Sequence, residues 1–130
     1  MDKAMRRTVL VVDDEEANRL ALERILIREG LEVRHAPNGR QALRVLAEAP
    51  PALMLTDLKM PGMDGAAFYN SLIGLSPGYK DRIAFMTGDA MGKSVQTFLM
   101  ESERPYIEKP ISKKDLACLL NQLDSRKNTS

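Results

Sequence analysis

Short, continuously apolar segments alternate along this chain with longer segments in which apolar residues recur at helical spacing. The apolar segments predict strands at Thr8–Val12, Leu31–Ala36, Ala52–Thr56, Arg82–Thr87 and Arg104–Glu108. The amphipathic segments predict helices at Glu15–Glu29, Gly39–Glu48, Gly65–Leu75, Lys93–Met100 and Ser112–Leu123. This alternation predicts an α/β fold, in which a parallel sheet with right-handed crossovers carries helices on both faces.

Length and composition favour a single domain. The chain has 130 residues, and we expect its core between short polar ends, over about residues 8–123. Its 19 basic and 18 acidic residues nearly balance, which gives no indication of nucleic-acid binding. No apolar segment could span a membrane and the polar N-terminus is unlike a secretory signal, so we expect a cytoplasmic protein without membrane insertion. Cys118 lies among leucines, and we expect it to be a packed core thiol.

The predicted topology places five polar side chains at one edge of the sheet. Asp13 and Asp14 follow the first strand, Asp57 follows the third, Thr87 ends the fourth and Lys109 follows the fifth. In sheets of this class, ligands bind beyond the carboxyl ends of the strands. We therefore expect these side chains to form one site.

The residue types indicate what this site would bind. Three neighbouring aspartates repel one another unless a cation lies between them. Oxygen ligands without histidine or thiolate favour a hard ion such as Mg²⁺ or Mn²⁺. A lysine and a threonine hydroxyl would add positive charge and a hydrogen-bond donor, so the pocket could neutralise a phosphoryl group.

Each residue also has an ordinary structural interpretation when it is taken alone. Asp14 could cap the following helix, Asp57 could belong to a turn, and Lys109 could be a solvated charge. Together these interpretations require independent coincidences at matching strand ends, and we therefore favour a functional site.

Four segments resemble a known family. They are VLVVDDE, LTDLKMPGMDG, AFMTGD and YIEKP, and in this order they resemble the signature segments of response-regulator receiver domains. The resemblance extends from Thr8 to about Leu123. It implies a flavodoxin-like fold, with a five-stranded parallel sheet of order 2-1-3-4-5 and five helices on both faces.

The resemblance also implies roles for the acidic residues. Asp57 would be the phosphoacceptor of a His-to-Asp phosphorelay. Asp13, Asp14, Asp57 and the backbone carbonyl of Lys59 would hold Mg²⁺ or Mn²⁺. The phosphorylated domain would be a signalling domain and not an enzyme in the usual sense.

Further positions match the switch elements of that family. Lys109 and Thr87 would contact phosphoryl oxygens, and Pro110 would follow a cis peptide bond. Tyr106 matches an aromatic residue that turns inward as the threonine moves. The surface made by the fourth helix, fifth strand and fifth helix would then change its affinity for a partner.

Two positions near the site would modulate the lifetime of the phosphoryl group. Lys59 lies two residues after Asp57, and Asp89 lies two residues after Thr87. We hypothesise that Lys59 and Asp89 pair across the mouth of the site and slow the loss of the phosphoryl group.

The resemblance implies protein partners, and some alternatives stay open. The partners would be a histidine kinase or a histidine phosphotransfer protein and a downstream protein target, without direct nucleic-acid binding. A hydrolase that forms an aspartyl phosphate is disfavoured because the first strand is not followed by a D-x-D pattern. The alternatives are a phosphorylation-independent interaction module on the same fold and the receiver segment of a hybrid histidine kinase.

Overall fold

The computed structural model describes residues 8–59, 65–88 and 91–128 of the chain. Its elements are β1 (Thr8–Val12), α1 (Glu16–Arg28), β2 (Glu32–Ala36), α2 (Gly39–Glu48), β3 (Leu53–Asp57), α3 (Gly65–Leu75), a 3₁₀ helix (Pro77–Asp81), β4 (Ile83–Thr87), α4 (Lys93–Ser102), β5 (Tyr106–Glu108) and α5 (Lys113–Asn128).

Over these residues, five parallel strands form one sheet in the order β2-β1-β3-β4-β5. Val11 of β1 pairs with His35 of β2 on one side and with Leu55 of β3 on the other. After β2 the chain crosses back over β1 and forms β3 on its other side, so the strand order reverses between β1 and β3. This confirms the predicted α/β fold and strand order, and it brings the carboxyl ends of all the strands to one edge.

Two apolar layers cover the sheet. β1, β3 and β4 are buried along nearly their whole length, which explains why their sequences are continuously apolar. The layer beneath α2, α3 and α4 includes Leu10, Met54, Phe68, Leu72, Phe85 and Leu99. The layer beneath α1 and α5 includes Val11, Leu26, Leu55, Met86 and Leu116.

The predicted start of the fifth strand is wrong. β5 begins at Tyr106, because Arg104 is buried outside the ladder and its Nε donates to the carbonyl of Ile83 across 3.0 Å. Pro105 has no N–H to donate, although its carbonyl accepts from the amide of Phe85. Arg104 and Pro105 therefore contact β4 through the Arg104 side chain and the Pro105 carbonyl.

Two helices extend further than their sequence patterns predict. α4 continues past Met100 to Ser102, and α5 continues past Leu123 to Asn128. Glu103 caps the carboxyl end of α4, where it adopts the left-handed conformation with a φ of 56° and donates its N–H to the carbonyl of Leu99. This ending needs no glycine, so a search for glycine stop signals misses it.

Cys118 is exposed, in contrast to its predicted burial. The buried face of this part of α5 is formed by Leu116, Leu119 and Leu120, which are spaced by three and four residues. Cys118 lies between them in sequence but on another side of the helix.

No helix in the described ranges is both long enough and apolar enough to cross a bilayer. The predicted cytoplasmic location stays a prediction.

Candidate functional site

Three aspartates meet at the carboxyl ends of β1 and β3. Oxygens of Asp13, Asp14 and Asp57 lie within 4.8 Å of one another. Asp13 is fully buried and Asp57 is 6% exposed, whereas Asp14 is exposed. Two of the three carboxylates are therefore poorly solvated and lie next to like charges, which is unfavourable without a compensating cation.

Lys109 supplies positive charge to this cluster. Its Nζ lies 2.9 Å from Oδ2 of Asp57 and 3.0 Å from Oδ2 of Asp13. These bonds join the end of β5 to the ends of β1 and β3. The site that the sequence predicts from scattered residues is thus assembled through one ammonium group.

The pKa values of the pair reflect this arrangement. Burial raises the pKa of the Asp57 carboxyl above its ordinary value, and the hydrogen bond and charge of Lys109 only partly oppose this effect. Burial alone would lower the pKa of Lys109, but the carboxylates of Asp57 and Asp13 outweigh it and the pKa is raised. Burial therefore destabilises the ionised form of Asp57, while Lys109 stays charged.

Asp13 is held through both its side chain and its backbone. Its Oδ1 accepts from the amide of Glu15 at 2.9 Å, and its Oδ2 accepts from the side-chain amide of Asn18 at 3.3 Å. Its carbonyl accepts from Nη1 of Arg19 at 2.6 Å, and its own amide donates to the carbonyl of Ala36. The contacts of Asn18 and Arg19 with Asp13 were not predicted from the sequence. Their position early in α1, five and six residues after Asp13, is the signal that could have found them.

Thr87 lies beside the cluster at the end of β4 and is 1% exposed. Its carbonyl accepts from the amide of Lys109 across 2.8 Å. The two residues that are predicted to contact the phosphoryl group are thus joined through the backbone. The peptide bond between Lys109 and Pro110 is cis, as the resemblance implied.

Tyr106 lies away from the cluster, with its side chain 45% exposed. It pairs in register with Phe85 of β4. Phe85 itself packs edge-to-face against Phe98 of α4 and Tyr69 of α3, with ring centroids 5.0 and 5.6 Å apart. The predicted switch tyrosine is therefore in an outward orientation next to an aromatic cluster that joins α3, β4 and α4.

Gly65 packs against the backbone that carries Asp57. A Cβ atom at this position would lie 2.5 Å from the carbonyl oxygen of Asp57 and 2.8 Å from Cα of Leu58. The Gly65 amide donates to the carbonyl of Leu58 across 3.0 Å. The start of α3 therefore requires glycine in order to approach the end of β3 this closely.

Of the two proposed modulators, Lys59 lies within the described residues. Lys59 is exposed, and its amide approaches Oδ1 of Asp57 at 3.4 Å. Asp89 lies outside the described residues. Their predicted pairing and the metal-binding role of the Lys59 carbonyl stay predictions.

A cleft of about 180 Å³ borders the acidic cluster between α1 and the connection from β5 to α5. Leu22, Ile25 and Met86 line it, together with Asp13 and Lys109. The charged site thus borders apolar side chains on this side.

The donor set fits the divalent cation that the sequence predicts. The three converging groups are carboxylates, with oxygen atoms close enough to share one ion, and no thiolate or imidazole belongs to this described cluster. Hard cations such as Mg²⁺ and Mn²⁺ prefer such ligands.

Comparisons with known proteins agree with this geometry. The family described as response regulator receiver domain matches residues 9–121. The response regulator receiver protein CpdR of Brucella abortus is 34% identical over 121 residues, which cover 92% of this chain and 95% of that protein. Sporulation initiation phosphotransferase F of Bacillus subtilis is 41% identical over 61 residues, which are 47% of this chain and 49% of that protein. The match thus spans about half the length of this second relative.

A solved structure shares the fold over nearly its whole length. The CheY-like response regulator receiver domain protein of Methanospirillum hungatei superposes with a TM-score of 0.83 at 28% identity. The superposition covers 96% of this chain and 99% of that one.

Proposed function

This chain belongs to the response regulator receiver domain family of two-component signalling, and on that premise we propose that Asp57 accepts a phosphoryl group. The observation that carries the proposal is the ammonium group of Lys109 between the carboxylates of Asp57 and Asp13. It brings a buried nucleophile and a fixed positive charge together at the carboxyl ends of three strands.

Asp57 would act as the nucleophile. One of its carboxylate oxygens would form a bond to phosphorus as the P–N bond of a phosphohistidine, or the P–O bond of acetyl phosphate, breaks. Phosphoryl transfer depends mainly on positioning and on stabilisation of charge. The pKa of Asp57 is raised by burial, so its ionised form is less well solvated than an exposed carboxylate.

Asp13, Asp14 and Asp57 would hold Mg²⁺ or Mn²⁺, together with the backbone carbonyl of Lys59. The bound ion would neutralise charge on the carboxylates and on the phosphoryl oxygens. The close approach of the three carboxylates supports this ligand set.

Lys109 and Thr87 would receive the new phosphoryl group. Lys109 would move its ammonium from the carboxylates toward a phosphoryl oxygen, and the Thr87 hydroxyl would donate to another. Because the backbone of Thr87 accepts from the amide of Lys109, these movements would be coupled.

The output would be a change in the surface made by α4, β5 and α5. An inward turn of Tyr106 would accompany the movement of Thr87 and would remove an exposed aromatic ring from this surface. The present 45% exposure of Tyr106 is what we expect before phosphorylation.

Lys59 and Asp89 would set the lifetime of the phosphoryl group by covering the approach of water. We expect Lys59→Ala and Asp89→Ala to speed dephosphorylation, which can be followed by the loss of the intact-mass adduct. Equal rates in both variants and the wild type would contradict this role.

The partners would be a histidine kinase or a histidine phosphotransfer protein and a downstream protein, in the cytoplasm and without direct nucleic-acid contact. A phosphorylation-independent interaction module is disfavoured because each residue type needed for the chemistry is present at the site. The receiver segment of a hybrid histidine kinase would use the same site and the same chemistry.

The test is incubation with acetyl phosphate in the presence and absence of Mg²⁺, followed by intact mass measurement. We expect one metal-dependent phosphoryl adduct on the wild type, no adduct on Asp57→Asn, and an unchanged adduct on Asp115→Asn, an exposed carboxylate of α5. An adduct that survives in Asp57→Asn would contradict the assignment of the acceptor. If the wild type forms no adduct, a failure to bind beryllofluoride with Mg²⁺ would reject the site itself.

A further inference from the structure

Two consecutive residues of α1 hold Asp13 at opposite ends. The side-chain amide of Asn18 donates to Oδ2 of Asp13, and Nη1 of Arg19 donates to the Asp13 carbonyl across 2.6 Å. The Asp13 carbonyl belongs to the peptide unit that joins Asp13 to Asp14. Arg19 therefore contacts the backbone from which Asp14 projects.

Among the described residues, no side-chain contact accounts for the orientation of Asp14. Within the described parts of the chain its side chain makes no hydrogen bond or ion pair, yet its carboxylate lies near those of Asp13 and Asp57. Like charges at this distance repel. An exposed side chain free of other restraints would turn toward solvent, so the backbone must supply the restraint.

The Arg19 contact is a poor stabiliser by itself. The residue is half-buried, and its Nε atom is buried without a hydrogen-bond partner among the residues that the structure describes. A buried charged donor without a partner is unfavourable and offsets part of the gain from the bond to Asp13. The contact is better explained by what it does to the Asp13–Asp14 peptide than by its effect on folding.

We propose that Arg19 is a positioning residue, which orients the Asp13–Asp14 peptide so that both carboxylates face Asp57. The inference rests on the proposed function for its consequence, because the positioned carboxylates would be metal ligands. Groups that orient metal ligands commonly change metal affinity by about 10- to 100-fold when they are removed.

If Arg19 acted through its charge alone, its removal would change Mg²⁺ affinity in the opposite direction. The guanidinium contacts the backbone of Asp13, one of three clustered aspartates, so removing its charge would strengthen Mg²⁺ binding if electrostatics were its whole contribution. Loss of positioning would weaken Mg²⁺ binding instead. The direction of the change therefore separates the two explanations.

The experiment uses ¹⁵N-labelled wild type, Arg19→Met, Arg19→Lys and the control Arg24→Met, whose arginine is exposed on the same helix. The order parameter of the Asp14 amide is measured in the metal-free protein, because this N–H belongs to the peptide unit that Arg19 holds. Mg²⁺ affinity is measured by titration of the same samples, and Tm is measured for each variant.

We expect the Asp14 order parameter to fall from about 0.85 toward about 0.6 in Arg19→Met, with Mg²⁺ affinity lower by about tenfold. Arg19→Lys keeps a donor and should fall between Arg19→Met and the wild type, whereas Arg24→Met should match the wild type. Tm should change little in any variant.

Three results would overturn the inference. They are an unchanged Asp14 order parameter, stronger Mg²⁺ binding in Arg19→Met, and a loss of order throughout Arg19→Met and Arg19→Lys, which would assign Arg19 to folding. If the wild type binds no Mg²⁺, the proposed function fails, but the order parameter still decides whether Arg19 positions the peptide.

Discussion

Nζ of Lys109 donates to Oδ2 of Asp57 across 2.9 Å, and the residues that form this bond are 52 positions apart in the sequence. The same nitrogen lies 3.0 Å from Oδ2 of Asp13. Asp13 and Asp57 are both buried, so this single ammonium group offsets negative charge that solvent screens poorly. The stability of the fold and the chemistry of the site therefore depend on the same ammonium group.

Replacing Lys109 with alanine should destabilise the metal-free protein. The variant leaves two buried carboxylates without their cation, and we expect a loss of about 2 kcal/mol in the free energy of unfolding. Mg²⁺ should restore more stability to Lys109→Ala than to the wild type, because the added ion replaces the missing charge. Thermal unfolding in EDTA and in Mg²⁺ measures both effects.

The control for this prediction is Lys113→Ala, which removes an exposed lysine near the start of α5. It should change stability by a few tenths of a kcal/mol and should not alter the response to Mg²⁺. Equal losses in the two variants would contradict the role of Lys109.

The Asp57→Asn variant should be more stable than the wild type at neutral pH in EDTA. The pKa of Asp57 in the folded protein is raised from its ordinary value of 3.8, chiefly by burial. The folded protein thus holds this proton more tightly than the unfolded chain, and stability is lost as pH rises through the folded-state pKa. Asparagine has the same shape and does not ionise, so the variant avoids this loss.

Thermal unfolding as a function of pH tests this sign. We expect the Tm of Asp57→Asn to exceed that of the wild type by a few degrees at pH 7. The difference should shrink as the pH falls and vanish below 3.8, where Asp57 is protonated in both the folded and the unfolded state. A wild type that is the more stable protein at pH 7 would contradict the prediction, and Asp115→Asn serves as the exposed control.

The sequence predicts the fold well because its strongest signals are local and periodic. The buried strands β1, β3 and β4 read as apolar segments, and Gly39–Glu48 and Gly65–Leu75 are helices at the predicted residues. The convergence of Asp13, Asp14, Asp57 and Lys109 at one edge follows from the parallel topology.

The sequence does not predict contacts between side chains and the backbone, because these contacts follow no periodic pattern. The burial of Arg104 against the carbonyl of Ile83 shortens β5, and no local pattern indicates it. Arg19 likewise reads as a polar residue of a surface helix, although it contacts the Asp13 carbonyl. The apolar neighbours of Cys118 in the sequence predict its burial, whereas its exposure depends on which face of α5 meets the sheet.

Glycine at position 103 should stabilise the protein. Glu103 ends α4 in the left-handed conformation with a φ of 56°, which is unfavourable for residues with a Cβ atom. We expect Glu103→Gly to raise the free energy of unfolding by about 0.5–1 kcal/mol, after allowing for the greater freedom of glycine in the unfolded chain. Chemical denaturation measures the change.

The matched control is Glu101→Gly, which places glycine inside the last turn of the same helix at another exposed glutamate. This variant should lose about 1 kcal/mol, because glycine is a poor helix former. Two changes of the same sign would show that the left-handed conformation is not the deciding factor.

Gly65 and Gly74 form the sharpest pair of variants, because they lie in one helix and face different surroundings. A Cβ atom at Gly65 would meet the backbone of Asp57 at 2.5 Å, whereas one at Gly74 would meet nothing within 4 Å. Backbone cannot move aside as a flexible side chain can. Gly65→Ala should therefore destabilise the protein by about 1–3 kcal/mol, while Gly74→Ala should stabilise it by about 0.5–1 kcal/mol.

The Gly65 variant should also affect the chemistry, because the clash falls on the residue that carries the reacting carboxylate. Displacement of the Asp57 carbonyl or of the start of α3 would shift the carboxylate relative to Lys109, and misplacement by about 1 Å can slow a positioned reaction about 100-fold. We expect slower adduct formation from acetyl phosphate in Gly65→Ala and a wild-type rate in Gly74→Ala. If Gly65→Ala lost stability but reacted at the wild-type rate, the close approach of α3 would matter for packing alone.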